Sequence, residues 1–234
     1  MKVVLVTGAA GGLGRGLVTA FLAAGWRVAA GLHCAGLGIA HDHLLEVPLD
    51  VTDSAQAEAA VRKITTRWGR LDALVNNAGI TANHPLWRMQ DADWDRVIDV
   101  NLHGVARITR AALHPMLAQG DGHVLTIGSF VGRTGAAGQS AYAAAKAGVV
   151  GFTRSLAREM GGQNIRANVV LPGVLTTPMT SGLSEERLAE LIRENVLGRP
   201  SSLEEVTGFM VFLAGLHNVS GQVFQLDSRI APGS

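Results

Sequence analysis

Residues 3–16 read VVLVTGAAGGLGRG, an apolar run and a threonine followed by a glycine-rich turn that opens a segment of helical period over 12–25. Three of the glycines, Gly8, Gly12 and Gly14, follow the first strand pattern directly. A glycine triplet alone is a weak signal. Strand, tight turn and helix start in that order make a cradle in which backbone can approach a pyrophosphate and helix N-terminal amides face anionic oxygens.

Outward from this stretch, the runs KVVLV, RVAAGL, LLEVPL, ALVNN, HVLTIG, RANVVL and QVFQL alternate with helical segments at 12–25, 53–68, 91–119 and 140–160. That alternation predicts a parallel sheet with helices on both faces. The strand cores are nearly continuous apolar runs, as burial on both faces requires. The fold class is therefore α/β, a Rossmann-type doubly wound parallel sheet of about seven strands, with residues 1–234 forming a single domain. Within 53–68, Ala57, Val61, Ile64 and Trp68 share one stripe behind possible cap residues, the pattern of a packing helix. Only HCAGLGIAHDH, residues 33–43, joins the second strand to the third, which leaves no room for a full crossover helix.

Twenty Lys and Arg balance nineteen Asp and Glu, and 47 % of the residues are hydrophobic. Such a chain has material for a core and no charge to attract nucleic acid or an anionic membrane. No apolar run approaches the roughly 20 residues that span a bilayer, and MKVVLVTG enters a strand pattern without a signal-peptide cleavage region, so a cytoplasmic location is expected. The single cysteine, Cys34, cannot form an internal disulfide and reads as a small filler. His41 and His43 form an H-x-H pair, but no carboxylate or cysteine at a recognised spacing completes a metal site, and none is expected.

The glycines are spaced Gly-x3-Gly-x-Gly, with Thr7 directly before them. Further on, DALVNNAGI holds N-N-A-G as Asn76 to Gly79, DVNLHG holds Asn101, LTIGS ends on Ser129, SAYAAAKAG holds Tyr142 and Lys146, and VLPGVLTTPM holds Pro172, Gly173 and Thr177. Ser129 precedes Tyr142, the only tyrosine of the chain, by thirteen residues. In this order and spacing the landmarks resemble those of the short-chain dehydrogenase/reductase family, from residue 3 to about 180. Four residues apart on a helix, Tyr142 and Lys146 share a face, with about 6 Å between Cβ atoms. A phenol of ordinary pKa ~10 is a poor acid or base at neutral pH, and a nearby ammonium favours its ionised form.

The resemblance implies a division of roles. Tyr142 exchanges the proton with the substrate oxygen, Ser129 hydrogen-bonds that oxygen, Lys146 holds the nicotinamide ribose and polarises Tyr142, and Asn101 supports the lysine through a water relay. Thr7, Gly8, Gly12, Leu13 and Gly14 would bind the dinucleotide along the glycine turn, Asp50 and Val51 on the adenine side, Asn77, Ala78 and Gly79 beside it, and Pro172, Gly173, Leu175 and Thr177 towards the nicotinamide. At the end of the second strand, AGLHC carries no acid to repel a 2′-phosphate, and His33 could contact one; NADP is the expected cofactor and NAD the alternative.

Within the family the chain is most similar to 3-oxoacyl-[acyl-carrier-protein] reductases, which implies a ketone or acyl thioester as substrate and a homo-oligomer, dimer or tetramer, paired through 91–119 and 140–160. An alcohol dehydrogenase or small-ketone reductase is the alternative enzyme, and a dinucleotide-binding protein without catalysis the alternative of another class. Residues 176–200 form the expected substrate lid. Two departures stand out. The stretches AQGDGH and GGQN lack the clustered basic residues that dock an acidic carrier, with His123 and Arg166 the nearest cations, and LDSR replaces a glycine pair near the C-terminus.

Overall fold

The computed structural model describes residues 1–34, 36–176 and 184–230. Its strands are β1 (Val3–Val6), β2 (Arg27–Leu32), β3 (Leu44–Pro48), β4 (Ala73–Asn76), β5 (Gly122–Ile127), β6 (Ile165–Leu171) and β7 (Val223–Gln225). They form one sheet in the order β3-β2-β1-β4-β5-β6-β7, parallel throughout. From β1 the chain winds outward to β3, then returns to place β4 on the other side of β1 and winds outward again. The reversal opens a crevice at the carboxyl ends of β1 and β4, where open α/β sheets take their ligands.

Side chains alternate between the two faces of each strand. Val3 and Leu5 join a core with Leu74, Val124 and the helices α2 (Ser54–Trp68), α4 (Gly104–Gln119) and α6 (Ser140–Met160). Val4 and Val6 join the opposite core with Val75, Leu125 and the helices α1 (Gly12–Ala23) and α8 (Leu203–Gly215). The stripe expected on 53–68 is the buried side of α2, with Ala57, Val61 and Ile64 inside and Trp68 packed at the edge. The Asp53 carboxylate caps this helix by accepting from the amides of Ala55 and Gln56.

Among the described residues of 33–43 no helix forms. The crossover is held instead at Leu37, whose side chain is buried, whose amide donates to Glu46 Oε1 at 2.9 Å, and whose carbonyl accepts from Arg15 Nη1 at 3.0 Å.

The long helix expected over 91–119 is broken. α3 (Asp91–Ile98) passes into one π turn at Asp99–His103 before α4 begins. Asn101 supplies the reason: its side-chain Nδ2 donates to the Val97 carbonyl at 2.8 Å, four residues back, and so competes with the backbone amide that a regular helix places there. The short α5 (Val131–Thr134) lies between β5 and α6, and α7 (Glu185–Arg193) lies between β6 and α8. No helix among the described residues is long and apolar enough to cross a membrane.

Candidate active site

The glycine turn and the N-N-A-G stretch meet at the crevice. Thr7 Oγ1 accepts from the amides of Asn77 and Ala78, both at 3.0 Å, while Asn77 Nδ2 donates to the carbonyls of Thr7 at 2.9 Å and Gly8 at 3.1 Å. Gly8 has a φ of +60°, and a Cβ on it would stand 2.8 Å from Ala78 Cα. On Gly14 it would stand 2.3 Å from the Gly8 carbonyl oxygen, so both positions require glycine. Gly11 precedes α1 without a side-chain cap, and the first turn, which includes Leu13, carries no acid. Its free amides are an open anion site of the kind a dinucleotide pyrophosphate fills.

Around the carboxyl ends of β4 and β5 the structure brings Asn101, Ser129, Tyr142 and Lys146 together. α6 supplies the last two, and its close approach to the serine segment depends on Gly132, where a Cβ would stand 2.7 Å from the backbone of Lys146. Ser129 hydrogen-bonds the Tyr142 phenol and accepts from the Val131 amide at 3.2 Å. Lys146, 4 % exposed, donates from Nζ to the Ile127 carbonyl at 2.8 Å, with Nζ 5.6 Å from the centre of the Tyr142 ring. Burial pulls the lysine down from 10.5 to about 8.

One expectation needs correction here. Burial pushes the Tyr142 phenol up, and the Ser129 hydrogen bond pulls it down by less, while the Lys146 ammonium is itself desolvated and donates to a backbone carbonyl. Asn101 is fully buried, and its Nδ2 is spent on the carbonyls of Ile80 at 2.9 Å and Val97 at 2.8 Å. Its Oδ1 has no partner, while a Cβ on Gly79 would lie 2.8 Å from that oxygen and 3.8 Å from Lys146 Nζ. A buried, unpaired acceptor beside a buried lysine is a place for bridging water.

The adenine-side residues also converge. His33 Nε2 stands 3.4 Å from Asp50 Oδ2, with both side chains reachable from solvent and Val51 buried next to them. Thr52 holds the Asp50 carboxyl below its ordinary value, chiefly through its amide. His41 Nδ1 accepts from the His43 amide at 3.0 Å, so the H-x-H pair is internally engaged. Pro172, Gly173 and the buried Leu175 follow β6, and a Cβ on Gly173 would meet Ser201 Oγ at 2.2 Å. Thr177 lies outside the described residues, as does 177–183 of the expected lid; the remainder leads through α7 to Ser201, whose amide donates to the Val174 carbonyl at 2.9 Å.

Sequence reasoning missed the groups that hold the site from behind. The carbonyls of Ile80, Val97 and Ile127 carry no residue-type signal. Asn76, legible only as part of a motif, is scaffolding: its Nδ2 reaches Thr109 Oγ1 at 3.1 Å and Thr126 Oγ1 at 3.4 Å.

The family model for short chain dehydrogenase matches residues 2–188. The chain belongs to the short-chain dehydrogenase family. Among similar members, 3-oxoacyl-[acyl-carrier-protein] reductase FabG of Thermotoga maritima is 41 % identical over 98 % of this chain and 97 % of its own length. The Escherichia coli protein of the same name is 40 % identical over 91 % of this chain and 89 % of its own. The crystal structure of gox2181 superposes with a TM-score of 0.90 at 32 % identity, covering 97 % of this chain and 94 % of that one. The seven-stranded doubly wound sheet expected from the sequence is thus the fold of the family.

Proposed function

We propose that this short-chain dehydrogenase is an NAD(P)-dependent reductase of 3-oxoacyl thioesters, working through Asn101, Ser129, Tyr142 and Lys146. The observation that carries the reading is the placement of a half-buried, serine-bonded phenol and a buried lysine beside the glycine cradle, on a chain 41 % identical to a 3-oxoacyl-[acyl-carrier-protein] reductase.

When bound, the nicotinamide supplies the hydride. The chain's own part is orientation and proton delivery. Tyr142 donates its phenol proton to the carbonyl oxygen as that oxygen gains charge, and its raised pKa keeps the proton in place until then. Ser129 turns its single hydroxyl proton from the phenol oxygen to the same carbonyl oxygen. Lys146, ionising at about 8, holds the ribose and stabilises the phenolate that remains. Asn101 Oδ1 accepts from the water that refills the proton. Thr7, Gly8, Gly12, Leu13 and Gly14 cradle the pyrophosphate; Asp50 and Val51 flank the adenine; Asn77, Ala78, Gly79, Pro172, Gly173, Leu175 and Thr177 are assigned the remainder. The segment 176–200 serves as the substrate lid of a single domain.

NADP is favoured over NAD because β2 ends without an acid and His33 follows it, exposed beside Asp50. A panel of ketones including an acetoacetyl thioester, assayed with NADPH and with NADH, tests the activity and the cofactor together. Turnover of simple ketones alone would instead favour a small-ketone reductase.

The carrier protein is proposed to matter little. Both basic side chains near its expected docking stretches are inside: His123 is fully buried, and Arg166, 5 % exposed, is spent on Asp121 and the Asn164 carbonyl. Rates on one acyl chain carried by a small thioester and by carrier protein should be similar at low and high salt. A large, salt-sensitive preference for the carrier would show that other cations dock it. The enzyme is further proposed to be cytoplasmic and to pair α4 and α6 in a dimer that doubles to a tetramer; Ala144, Ala147 and Gly151 leave the outer face of α6 low enough for close packing. Light scattering that found only monomer would overturn the pairing.

A further inference from the structure

Arg229 is a buried arginine where a glycine was expected. Its side chain is 7 % exposed and that of Asp227 1 %. Charges so placed need partners of good geometry, and the guanidinium finds them on separate elements. Nη1 donates to Asp227 Oδ2 at 2.6 Å, Nε to Glu194 Oε2 at 3.0 Å and Nη2 to the Leu191 carbonyl at 2.9 Å, while its face lies 3.7 Å from the ring centre of Phe130, the residue after Ser129.

A second link runs beside the first. Arg133 Nη1 donates to Gln225 Oε1 at 3.2 Å, and Gln225 Nε2 donates to Asp227 Oδ1 at 2.6 Å and to the Arg229 carbonyl at 2.9 Å. On the far side, the amides of Val196 and Leu197 donate to Ser228, at 3.3 Å to its carbonyl and 3.1 Å to its hydroxyl. The residues past the carboxyl end of β7 therefore tie the end of α7 to the segment that carries Ser129.

We infer that Arg229 is a positioning residue for ketone reduction: it fixes the Phe130 ring and the end of α7 relative to Ser129, and so shapes the wall that meets the group flanking the substrate carbonyl. This rests on the reductase reading above. Arginine suits the task because one planar group both stacks on a ring and donates in three directions, which an ammonium cannot do. Glu194 is 57 % exposed and adds little; the Asp227 and Phe130 contacts dominate.

Arg229→Met and Arg229→Lys in the full chain test the inference with two readouts. Hydrogen exchange on the ligand-free protein should speed up about tenfold at Val196 and Leu197 and in 131–134 for Arg229→Met, with β5 and the middle of α6 unchanged. In steady state, KM for an acetoacetyl thioester should rise about tenfold, with kcat and NADPH affinity within about twofold, and Arg229→Lys should fall between. A merely structural arginine would lower Tm and leave that KM alone.

Unchanged exchange in both segments, or an unchanged KM, would overturn the proposal. If Arg229→Met fails to fold because Asp227 is left unpaired, the Asp227→Asn/Arg229→Met double variant and Arg229→Lys are read by the same criteria. If the wild type reduces no ketone, the functional reading fails, and the exchange measurement still decides whether Arg229 joins the two segments.

Discussion

Acidification should destabilise the protein through His123, a fully buried histidine in β5. Asn168 Nδ2 lies 2.8 Å from its Nε2, which therefore acts as the acceptor and leaves the proton on Nδ1. Desolvation first, and then the nearby Arg166, pull the imidazole from 6.5 down to about 3, against smaller pulls upward from the Ala214 carbonyl and Asp121. Above the unfolded value the ring is neutral in both states. Below it the unfolded chain binds a proton that the folded chain refuses, so stability falls with pH until about 3. At 1.36 kcal/mol per pH unit, this group alone should remove about 2 kcal/mol between about pH 7.5 and about pH 5, and about 4 kcal/mol by about pH 3. Asp50, Asp53 and Asp121 are held below 3.8, so their own loss of stability sets in only below the two pH values compared, near and under 3.8, and Lys146 titrates above them. Urea unfolding of wild type and His123→Gln at the two pH values, at one protein concentration, reads the difference. The glutamine variant should be less stable at neutral pH and less sensitive to acid. Equal losses in both proteins would refute the buried-neutral assignment.

Gly14→Ala should abolish dinucleotide binding and lower stability by roughly 1–3 kcal/mol, because the new Cβ meets the Gly8 carbonyl oxygen at 2.3 Å; calorimetric titration with NADPH and urea unfolding check both effects. Lys146→Ala should weaken NADPH binding and reduce kcat together, since one side chain is assigned to both tasks; a loss of rate with intact affinity would remove the ribose role. Gly79→Ala, whose Cβ would crowd Asn101 Oδ1 at 2.8 Å, should slow turnover with less effect on NADPH affinity, as stopped-flow hydride transfer would show.

The strands were legible because parallel strands buried on both faces are largely apolar, and Val3–Val6 satisfies that with every residue buried. The irregular crossover was legible from length alone. The cradle could be read because Gly8 and Gly14 answer to sterics that no other residue meets. The π turn was not, since helical period continues across Asp99–His103 and the Asn101 bond to the Val97 carbonyl breaks no pattern. Spacing placed Lys146 on the face of Tyr142 but could not tell that its ammonium turns to the Ile127 carbonyl. His123 and Arg166 read as surface cations because a polar residue near a strand end is usually exposed; their burial depends on Asn168 and Asp121, tertiary partners more than forty residues away.

The assignment of Tyr142 as the proton donor in 3-oxoacyl reduction is tested most directly by Tyr142→Phe, which removes the hydroxyl and keeps the ring. With NADPH and an acetoacetyl thioester, kcat should fall about 10²–10⁴-fold while NADPH affinity, measured by titration without substrate, stays within about twofold. A Phe variant that turned over at near wild-type rate would contradict the account.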